Sequence, residues 1–337
     1  MNRKKNLKQS KIKDSLILKP EYKENVRVSS YLGKKGFTIP KSVMTEQDIQ
    51  CIKDELLVKP VEMKMSYGAP GSAQANAFPV YKENDKKMYL PRFYGINRYG
   101  LPDKSEMQEG DDINVSFDKS LRDYQEHIIG VYMHHINEPI VKNNSQNGNG
   151  GILEVPCGRG KTVMALKIIS NLQKKTLIIV HKEFLMNQWI ERIQEFLPGT
   201  KIGKIQGPTF DIQDKDIVIG MLQSLSQKDY PDGLFDTFGL SIYDETHHLG
   251  AEVFSKCMAK AITNYTLGLS GTMQRKDGLT KVFKMFLGDV VHKEKTNTKE
   301  HKVLVKAIKY SVNDEEFNEI KYDYRGNPLY STMISKL

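Results

Sequence analysis

Short apolar runs alternate with helical periodicity from residue 120 onwards. Between Ser120 and Ile136 apolar side chains recur every three or four residues, which predicts an amphipathic helix that ends before Pro139. Continuous apolar runs beyond it predict strands at Ile152–Val155, Leu177–Val180, Ile217–Ile219, Leu240–Tyr243 and Tyr265–Leu269. Helices are predicted between the strands, including Lys161–Asn171, Lys182–Leu197 and Ala251–Ile262. This alternation predicts an α/β fold: a parallel sheet with helices on both faces, which binds ligands beyond the carboxyl ends of its strands.

A smaller α+β region is predicted before this sheet. It contains a helix that begins after Thr45 and ends near Leu57, and then a hairpin with its turn at Glu83–Asp85. The stretch Tyr81–Tyr99 interleaves basic and aromatic residues, which either contact nucleic acid or fill the core of a small β unit. Surface loops are predicted at Gly68–Ala75 and Asn143–Gly151. The predicted divisions are a basic tail at 1–13, the α+β region at 14–110, the parallel-sheet domain at 111–295 and a connecting segment at 296–337.

Composition narrows the function classes. The 337 residues carry a net charge of +9, and six basic side chains without an acid fall within residues 1–13. A polyanionic partner is one explanation, and a solvated, mildly basic protein is the other. Cys51, Cys157 and Cys257 suit neither a disulfide framework nor a zinc site, so an intracellular, reducing compartment is expected. No apolar run reaches the ~20 residues of a membrane helix, and no secretory signal is expected.

The loop after the strand Ile152–Val155 has the composition of a phosphate-binding loop. Gly158 and Gly160 leave the backbone N–H groups accessible to phosphates, and Lys161 places positive charge at the start of a helix. Thr162 supplies a hydroxyl for Mg²⁺. One departure is Val155, which stands where the usual pattern has a glycine. The predicted nucleotide-binding loop comprises Val155, Pro156, Cys157, Gly158, Arg159, Gly160, Lys161 and Thr162.

The strand Leu240–Tyr243 leads into an acidic segment, Asp244-Glu245-Thr246-His247-His248. A carboxylate at the tip of a buried strand suits Mg²⁺, bound directly or through water, which favours Asp244 together with Thr162 as metal ligands. Glu245 can orient and deprotonate an attacking water. Neighbouring histidines rarely converge on one ion, so we predict no zinc site here.

Six segments, in this order, resemble the motifs of superfamily 2 DExH helicases and translocases. The resemblance covers roughly residues 118–310 and is closest to XPB-like helicases and to those of large cytoplasmic DNA viruses. The matching segments are Leu121–Gln125, Gly158–Thr162, Ile179–Trp189, Gly220–Leu225, Asp244–His247 and Leu267–Thr272, and Arg275–Gly278 also looks XPB-like.

The resemblance implies an ATP-dependent enzyme that acts on DNA, with a RecA-like ATP-binding lobe and with ATP and Mg²⁺ as cofactors. RNA stays open as the nucleic acid. The implied residues are Lys161, Asp244, Glu245 and His247 for catalysis, Arg122 and Gln125 for adenine, Ser270 and Thr272 for coupling, and Lys182 and Gln223 for nucleic acid.

Such enzymes place ATP between two lobes, the second of which supplies arginines. After Val290 the sequence predicts only a strand at Val303–Tyr310 and an acidic patch, so we expect the second lobe in a longer chain or, less favoured, in a separate polypeptide. Hydrolysis by residues 1–337 alone is then expected to be weak or absent. A restriction-type DNA translocase subunit stays open as an alternative. A non-catalytic ATP- and nucleic-acid-binding module is the other, and Glu245 disfavours it. A viral protein would work in the host cytoplasm or virion, or in the nucleus.

Overall fold

The computed structural model describes residues 17–59, 77–137, 148–231, 233–244, 251–272, 280–294, 320–324 and 326–329. Residues 1–295 form one compact unit and residues 296–337 a second. In the second unit, an isolated β-bridge joins Tyr322 to Pro328. The basic tail, the loop Gly68–Ala75 and the predicted strand Val303–Tyr310 lie outside the described residues. Within the described part of the chain, no helix is long and apolar enough to cross a membrane.

The first unit opens with a small sheet and the helices beside it. Its elements are α1 (Pro20–Ser29), β1 (Tyr31–Gly33), β2 (Gly36–Pro40), α2 (Glu46–Glu55), β3 (Leu57–Val58), β4 (Phe78–Pro79), β5 (Lys82–Glu83), β6 (Lys87–Leu90), α3 (Arg92–Tyr99) and β7 (Lys104–Ser105). Five strands pair in the order β5-β6-β2-β1-β7, and only β1 and β7 are parallel. The predicted helix and hairpin are confirmed, since Thr45 caps α2 and β5 pairs with β6.

Part of the basic and aromatic stretch Tyr81–Tyr99 builds the interior of this region. Tyr99 is buried, and its hydroxyl donates to Asp48, which is itself fully buried. Arg98 Nε donates to Asp48 Oδ1 at 3.1 Å, and the Tyr22 hydroxyl donates to Oδ2 at 2.9 Å. Burial and the bond to Asp48 hold the pKa of Tyr99 above its ordinary value. For these residues the core interpretation holds, because their polar groups are used inside the protein.

The remainder of the first unit forms an eight-stranded sheet with its helices. The elements are α4 (Asp123–Asn137), β8 (Gly150–Glu154), α5 (Lys161–Leu172), β9 (Thr176–Val180), α6 (Glu183–Phe196), β10 (Ile202–Gln206), β11 (Thr209–Asp211), β12 (Ile217–Met221), α7 (Leu222–Gln227), β13 (Leu240–Asp244), α8 (Ala251–Met258), β14 (Tyr265–Ser270), α9 (Thr280–Leu287) and β15 (Val290–Lys293). The strand order is β11-β10-β12-β9-β13-β14-β8-β15. All neighbours are parallel except β10 and β11. The predicted fold class is confirmed.

Alternate residues of the buried strands point to opposite faces of the sheet and enter two different cores. Ile178 packs in a cluster with Trp189 of α6 and Tyr132 of α4. Its neighbour Leu177 belongs to a second cluster, which also contains Phe37 of the small sheet. The small N-terminal sheet therefore shares a hydrophobic core with one face of the large sheet. The predicted domain boundary near residue 110 stays a prediction.

Several sequence-based boundaries differ from the structure. The predicted loop Asn143–Gly151 is wrong at its end, because Gly150 and Gly151 are buried in β8. A Cβ on Gly150 would lie 2.1 Å from Thr266 Oγ1, so close packing explains this glycine better than loop flexibility does. Helix α8 ends at Met258, four residues earlier than predicted. The hairpin of β10 and β11 was not predicted, because half-buried β10 alternates buried and exposed residues and has no continuous apolar run.

Replacing Asp48 by alanine is expected to destabilise the first unit by about 3 kcal/mol, because Arg98 would lose its buried carboxylate partner. Urea-induced unfolding measures this change. Asp54→Ala is the matched control: it removes an exposed acid from the same helix and should change the free energy of unfolding by less than about 0.5 kcal/mol. Equal losses for the two variants would contradict a structural role for the Asp48 network.

Candidate nucleotide-binding site

Three neighbouring parallel strands, β8, β14 and β13, end at the same edge of the large sheet. Asp244 is in register with Leu269, and Ser270 is in register with Glu154. Beyond this edge lies a cleft of about 1330 Å³, including its open mouth, which the phosphate-loop residues and Asp244 line together. The structure therefore brings the loop after β8 and the carboxylate after β13 into one site.

The loop between β8 and α5 is shaped by two glycines. Gly158 and Gly160 have φ angles of 79° and 82°, a region that side chains with a Cβ rarely adopt. Gly160 is the N-cap of α5, so the first turn of that helix opens beside the cleft. Its N–H groups have no partners within the helix and favour an anion. The backbone N–H of Val155 donates to Ser270 O at 2.9 Å and fixes the start of the loop to β14.

The side chain of Lys161 is buried beneath this loop. It is 8% exposed, and its Nζ is 3.8 Å from Cys157 Sγ. A Cβ on Gly271 would lie 3.8 Å from the same Nζ and 3.3 Å from Cys157 Sγ. The lysine therefore sits between the phosphate loop and the turn after β14, beside the opening of α5.

A set of side-chain contacts braces the phosphate loop against the start of α4. Gln125 Nε2 donates to Arg159 O at 3.3 Å, and Gln125 Oε1 accepts from the Arg122 N–H at 3.0 Å. The Tyr124 hydroxyl also donates to Arg159 O, at 3.1 Å, and the Arg159 guanidinium stacks 4.0 Å from the centre of the Tyr124 ring. Gln125 is 7% exposed, and both ends of its amide are engaged by the protein.

Asp244 is held by a buried tryptophan. Trp189 Nε1 donates to Asp244 Oδ2 at 2.8 Å, and the two residues are 1% and 6% exposed. A hydrogen bond from a neutral donor fixes the carboxylate without cancelling its charge. The sequence placed Trp189 within a motif but assigned it no role, since nothing in a sequence indicates which strand its indole N–H faces.

The other predicted site residues fall in different places. Ser270, the last residue of β14, donates from Oγ to Thr272 O at 2.7 Å in the turn that follows. Lys182 is the N-cap residue of α6 and follows β9. Gln223 Nε2 donates to His181 O at 3.0 Å. Both residues therefore lie at the carboxyl edge of the large sheet. Glu245 and His247 lie outside the described residues. Sequence reasoning missed the ion pair between Arg159 and Glu294, which ties the phosphate loop to the residue after β15.

Comparisons with known proteins show what this chain is similar to. A family model described as "Type III restriction enzyme, res subunit" matches residues 118–275. A protein of Acanthamoeba polyphaga mimivirus, L396, whose name assigns it to the ATP-dependent RNA helicases, is 32% identical over 314 residues. The "DNA 3'-5' translocase XPB2" of Sulfurisphaera tokodaii is 29% identical over 234 residues. The chain is therefore similar in sequence to helicases. The predicted resemblance to XPB-like and viral helicases is confirmed.

The chain spans only about half the length of the relatives that it matches. The matches cover 92% of the chain but 58% of L396, and 67% of the chain but 49% of XPB2. Among solved structures, the UvsW helicase of bacteriophage T4 aligns with a TM-score of 0.47 at 18% identity, over 73% of this chain and 93% of that one.

The residues of the candidate site fit a Mg²⁺–nucleotide. The glycine backbone and the opening of α5 provide N–H donors for phosphate oxygens, and Lys161 provides a positive charge. Thr162 and Asp244, both lining the cleft, provide the hydroxyl and carboxylate oxygens that Mg²⁺ prefers. The described residues therefore include hydrogen-bond donors and a positive charge for the phosphates, and oxygen ligands for Mg²⁺.

Gly160→Ala is expected to destabilise the chain by about 1 kcal/mol more than Gly158→Ala. Both changes strain a positive φ angle by ~1–2 kcal/mol. A Cβ on Gly160 would also lie 2.4 Å from Gln125 Nε2, whereas a Cβ on Gly158 meets nothing within 4 Å. Thermal unfolding of both variants measures the difference. In a Gln125→Ala background the additional destabilisation by Gly160→Ala should disappear. If it persists, Gln125 does not pack against the phosphate loop at Gly160.

Proposed function

We propose that this chain provides the ATP-binding lobe of an ATP-driven helicase or translocase that moves on DNA. The observation that carries the proposal is the convergence of Lys161, Thr162 and Asp244 on one cleft at the opening of α5. The sequence similarity to helicases supports it. The relatives' names differ in the nucleic acid, DNA for XPB2 and RNA for L396, and the strong resemblance of the motifs to XPB-like proteins favours DNA.

Each residue of the chain has a distinct task in this proposal. The amides of the phosphate loop and Lys161 bind and orient the phosphates, while Thr162 and Asp244 hold the metal. Mg²⁺, when bound, neutralises charge on the phosphate oxygens. Glu245, next to Asp244 in the sequence, accepts a proton from the attacking water. Arg122 and Gln125, which line the cleft, are proposed to contact adenine, and a base contact would require Gln125 to exchange one of its present hydrogen bonds.

The proposal also includes a second lobe, in a longer chain or a separate polypeptide, that supplies arginines to the phosphates. Such arginines accelerate phosphoryl transfer by roughly three to five orders of magnitude. The chain of residues 1–337 is therefore proposed to bind ATP and to hydrolyse it slowly. Ser270, at the end of β14, and Thr272, in the turn that follows, are proposed to couple the nucleotide state to nucleic acid.

Lys161→Ala is expected to weaken ATP binding at least about tenfold, because it removes a charge from the phosphate site. A fluorescent ATP analogue titrated in the presence of Mg²⁺ measures the affinity. Lys167→Ala, on the same helix α5, is the charge-matched control and should bind ATP as the wild type does. If Lys161→Ala binds ATP as tightly as Lys167→Ala, then the phosphates do not lie at the opening of α5.

Trp189→Phe is expected to weaken the binding of Mg²⁺ to the nucleotide complex about tenfold or more, because it removes the N–H that orients Asp244. A Mg²⁺ titration at fixed ATP analogue provides the measurement. Phe37→Leu is the control for a truncation in the core, since Phe37 is equally buried but belongs to the small sheet. Unchanged Mg²⁺ dependence in a folded Trp189→Phe protein would show that Asp244 does not need this bond.

Lys182→Gln is expected to weaken binding to a DNA duplex without sequence preference and to reduce the salt slope, the change in log affinity per log salt, by about one. Lys201→Gln, an exposed lysine at the opposite edge of the sheet, should have little effect. Fluorescence anisotropy at several salt concentrations, with DNA and with RNA of the same length, measures both quantities. Tighter binding to RNA than to DNA would contradict the DNA proposal, and equal salt slopes for the two variants would remove Lys182 from the interface.

A further inference from the structure

A second pocket lies between the small N-terminal sheet and helix α8. It encloses about 700 Å³, including its open mouth, and its walls are mostly apolar. Leu90 and Pro91 line it from one side, and Met258 and Ala261 line it from the other. Its inner end is formed by Arg92 and Thr266. Thr266 lies near the amino end of β14, so this pocket is at the opposite edge of the large sheet from the candidate nucleotide site.

Arg92 is a buried cation with only neutral partners. It is 5% exposed, and its Nη1 donates to Asn264 O at 2.8 Å and its Nη2 to Thr266 Oγ1 at 3.4 Å. Its guanidinium stands 5.0 Å from the centre of the Phe93 ring. Its Nε is buried without a hydrogen-bond partner, and no carboxylate of the described residues forms an ion pair with this arginine.

An unpaired buried charge is costly, and its effect shows in the pKa of Arg92, which burial lowers to about 10. Buried charges are ordinarily paired with an opposite charge or with a bound ion. These neutral contacts, together with Met107 Sδ at 3.8 Å from Nη1, fix the guanidinium in place and leave its charge uncompensated. The arginine therefore matches a site that an anion completes.

Three lysines at the mouth of the pocket carry further positive charge. Lys35, Lys82 and Lys256 line it, and none of the described lining residues is acidic. Lys256 pairs outside the pocket with Glu252, but burial and then the nearby charges of Lys260 and Lys35 lower the pKa of Lys82, as crowded cations do. Lys35 Nζ lies 5.1 Å from the centre of the Tyr89 ring. Basic groups thus stand at both ends of an apolar pocket.

We propose that this pocket binds a small organic anion: an apolar ring or chain that carries one phosphate or carboxylate group. The apolar walls of Leu90, Pro91 and Met258 take the body of the ligand. Arg92, at the inner end, takes its charged group, and Lys82, at the mouth, attracts the anion over a longer distance. The pocket joins the small sheet to the large one, so a bound ligand also stabilises their contact. This binding site is separate from the nucleotide cleft in both place and chemistry.

The test uses the whole chain and 8-anilinonaphthalene-1-sulfonate, a fluorescent aromatic anion, with phenyl phosphate as the competitor. We expect saturable binding to the folded wild type and displacement by phenyl phosphate, but not by phenol, which has the ring without the phosphate charge. Lys161→Ala should bind the probe as the wild type does. Loss of binding in that variant would place the probe in the nucleotide cleft and overturn the proposal.

Three variants test the pocket itself. Lys82→Gln should weaken binding of the probe about threefold or more. Lys201→Gln, which replaces an exposed lysine elsewhere, should leave the affinity unchanged. Ala259→Phe fills the pocket while leaving its charges in place, and should abolish binding. Arg92→Gln should weaken binding about tenfold if it folds, as checked by circular dichroism. Absence of saturable binding to the wild type, or equal binding by wild type, Lys82→Gln and Ala259→Phe, would overturn the proposal.

Discussion

The parallel register of β8, β14 and β13 is the constraint on which the candidate nucleotide site depends. Because strands of one parallel sheet end at the same edge, the phosphate loop after β8 and the carboxylate after β13 reach one cleft although they are about eighty residues apart in the sequence. Strand β14 lies between them and brings Ser270 and Gly271 to the same edge. A shift of β13 by one residue would turn Asp244 to the other face of the sheet.

The precision of the site comes from contacts behind the residues that face the ligand. Gln125 and Tyr124 hold the carbonyl of Arg159, and Trp189 holds Asp244. These braces reach the site from α4 and α6, which pack on the same face of the large sheet. The opposite face is shared with the N-terminal sheet, so the small region stabilises the scaffold of the site, and none of its described residues lines the cleft.

The sequence predicted what depends on local pattern and missed what depends on distant contact. Continuous apolar runs predicted the central strands, and glycine spacing with Lys161 and Thr162 predicted the phosphate loop at the start of α5. For Arg98 the sequence left two interpretations open, nucleic-acid contact and a place in the core. It could not decide between them, because the partner of Arg98 in the core, Asp48, is fifty residues away. The Trp189–Asp244 bond and the neutral contacts of Arg92 were likewise invisible, since each joins elements whose pairing only the folded chain reveals.

Hydrogen–deuterium exchange with and without Mg²⁺–ATP tests most directly whether the carboxyl edge of the large sheet binds the nucleotide phosphates. The account predicts slower exchange in the peptide that contains the amides of Gly158–Thr162, because these N–H groups would donate to phosphate oxygens. The same peptide of Lys161→Ala should show little protection at that ATP concentration. Protection confined to other parts of the wild-type chain, or none at ATP concentrations that saturate binding, would contradict the central claim.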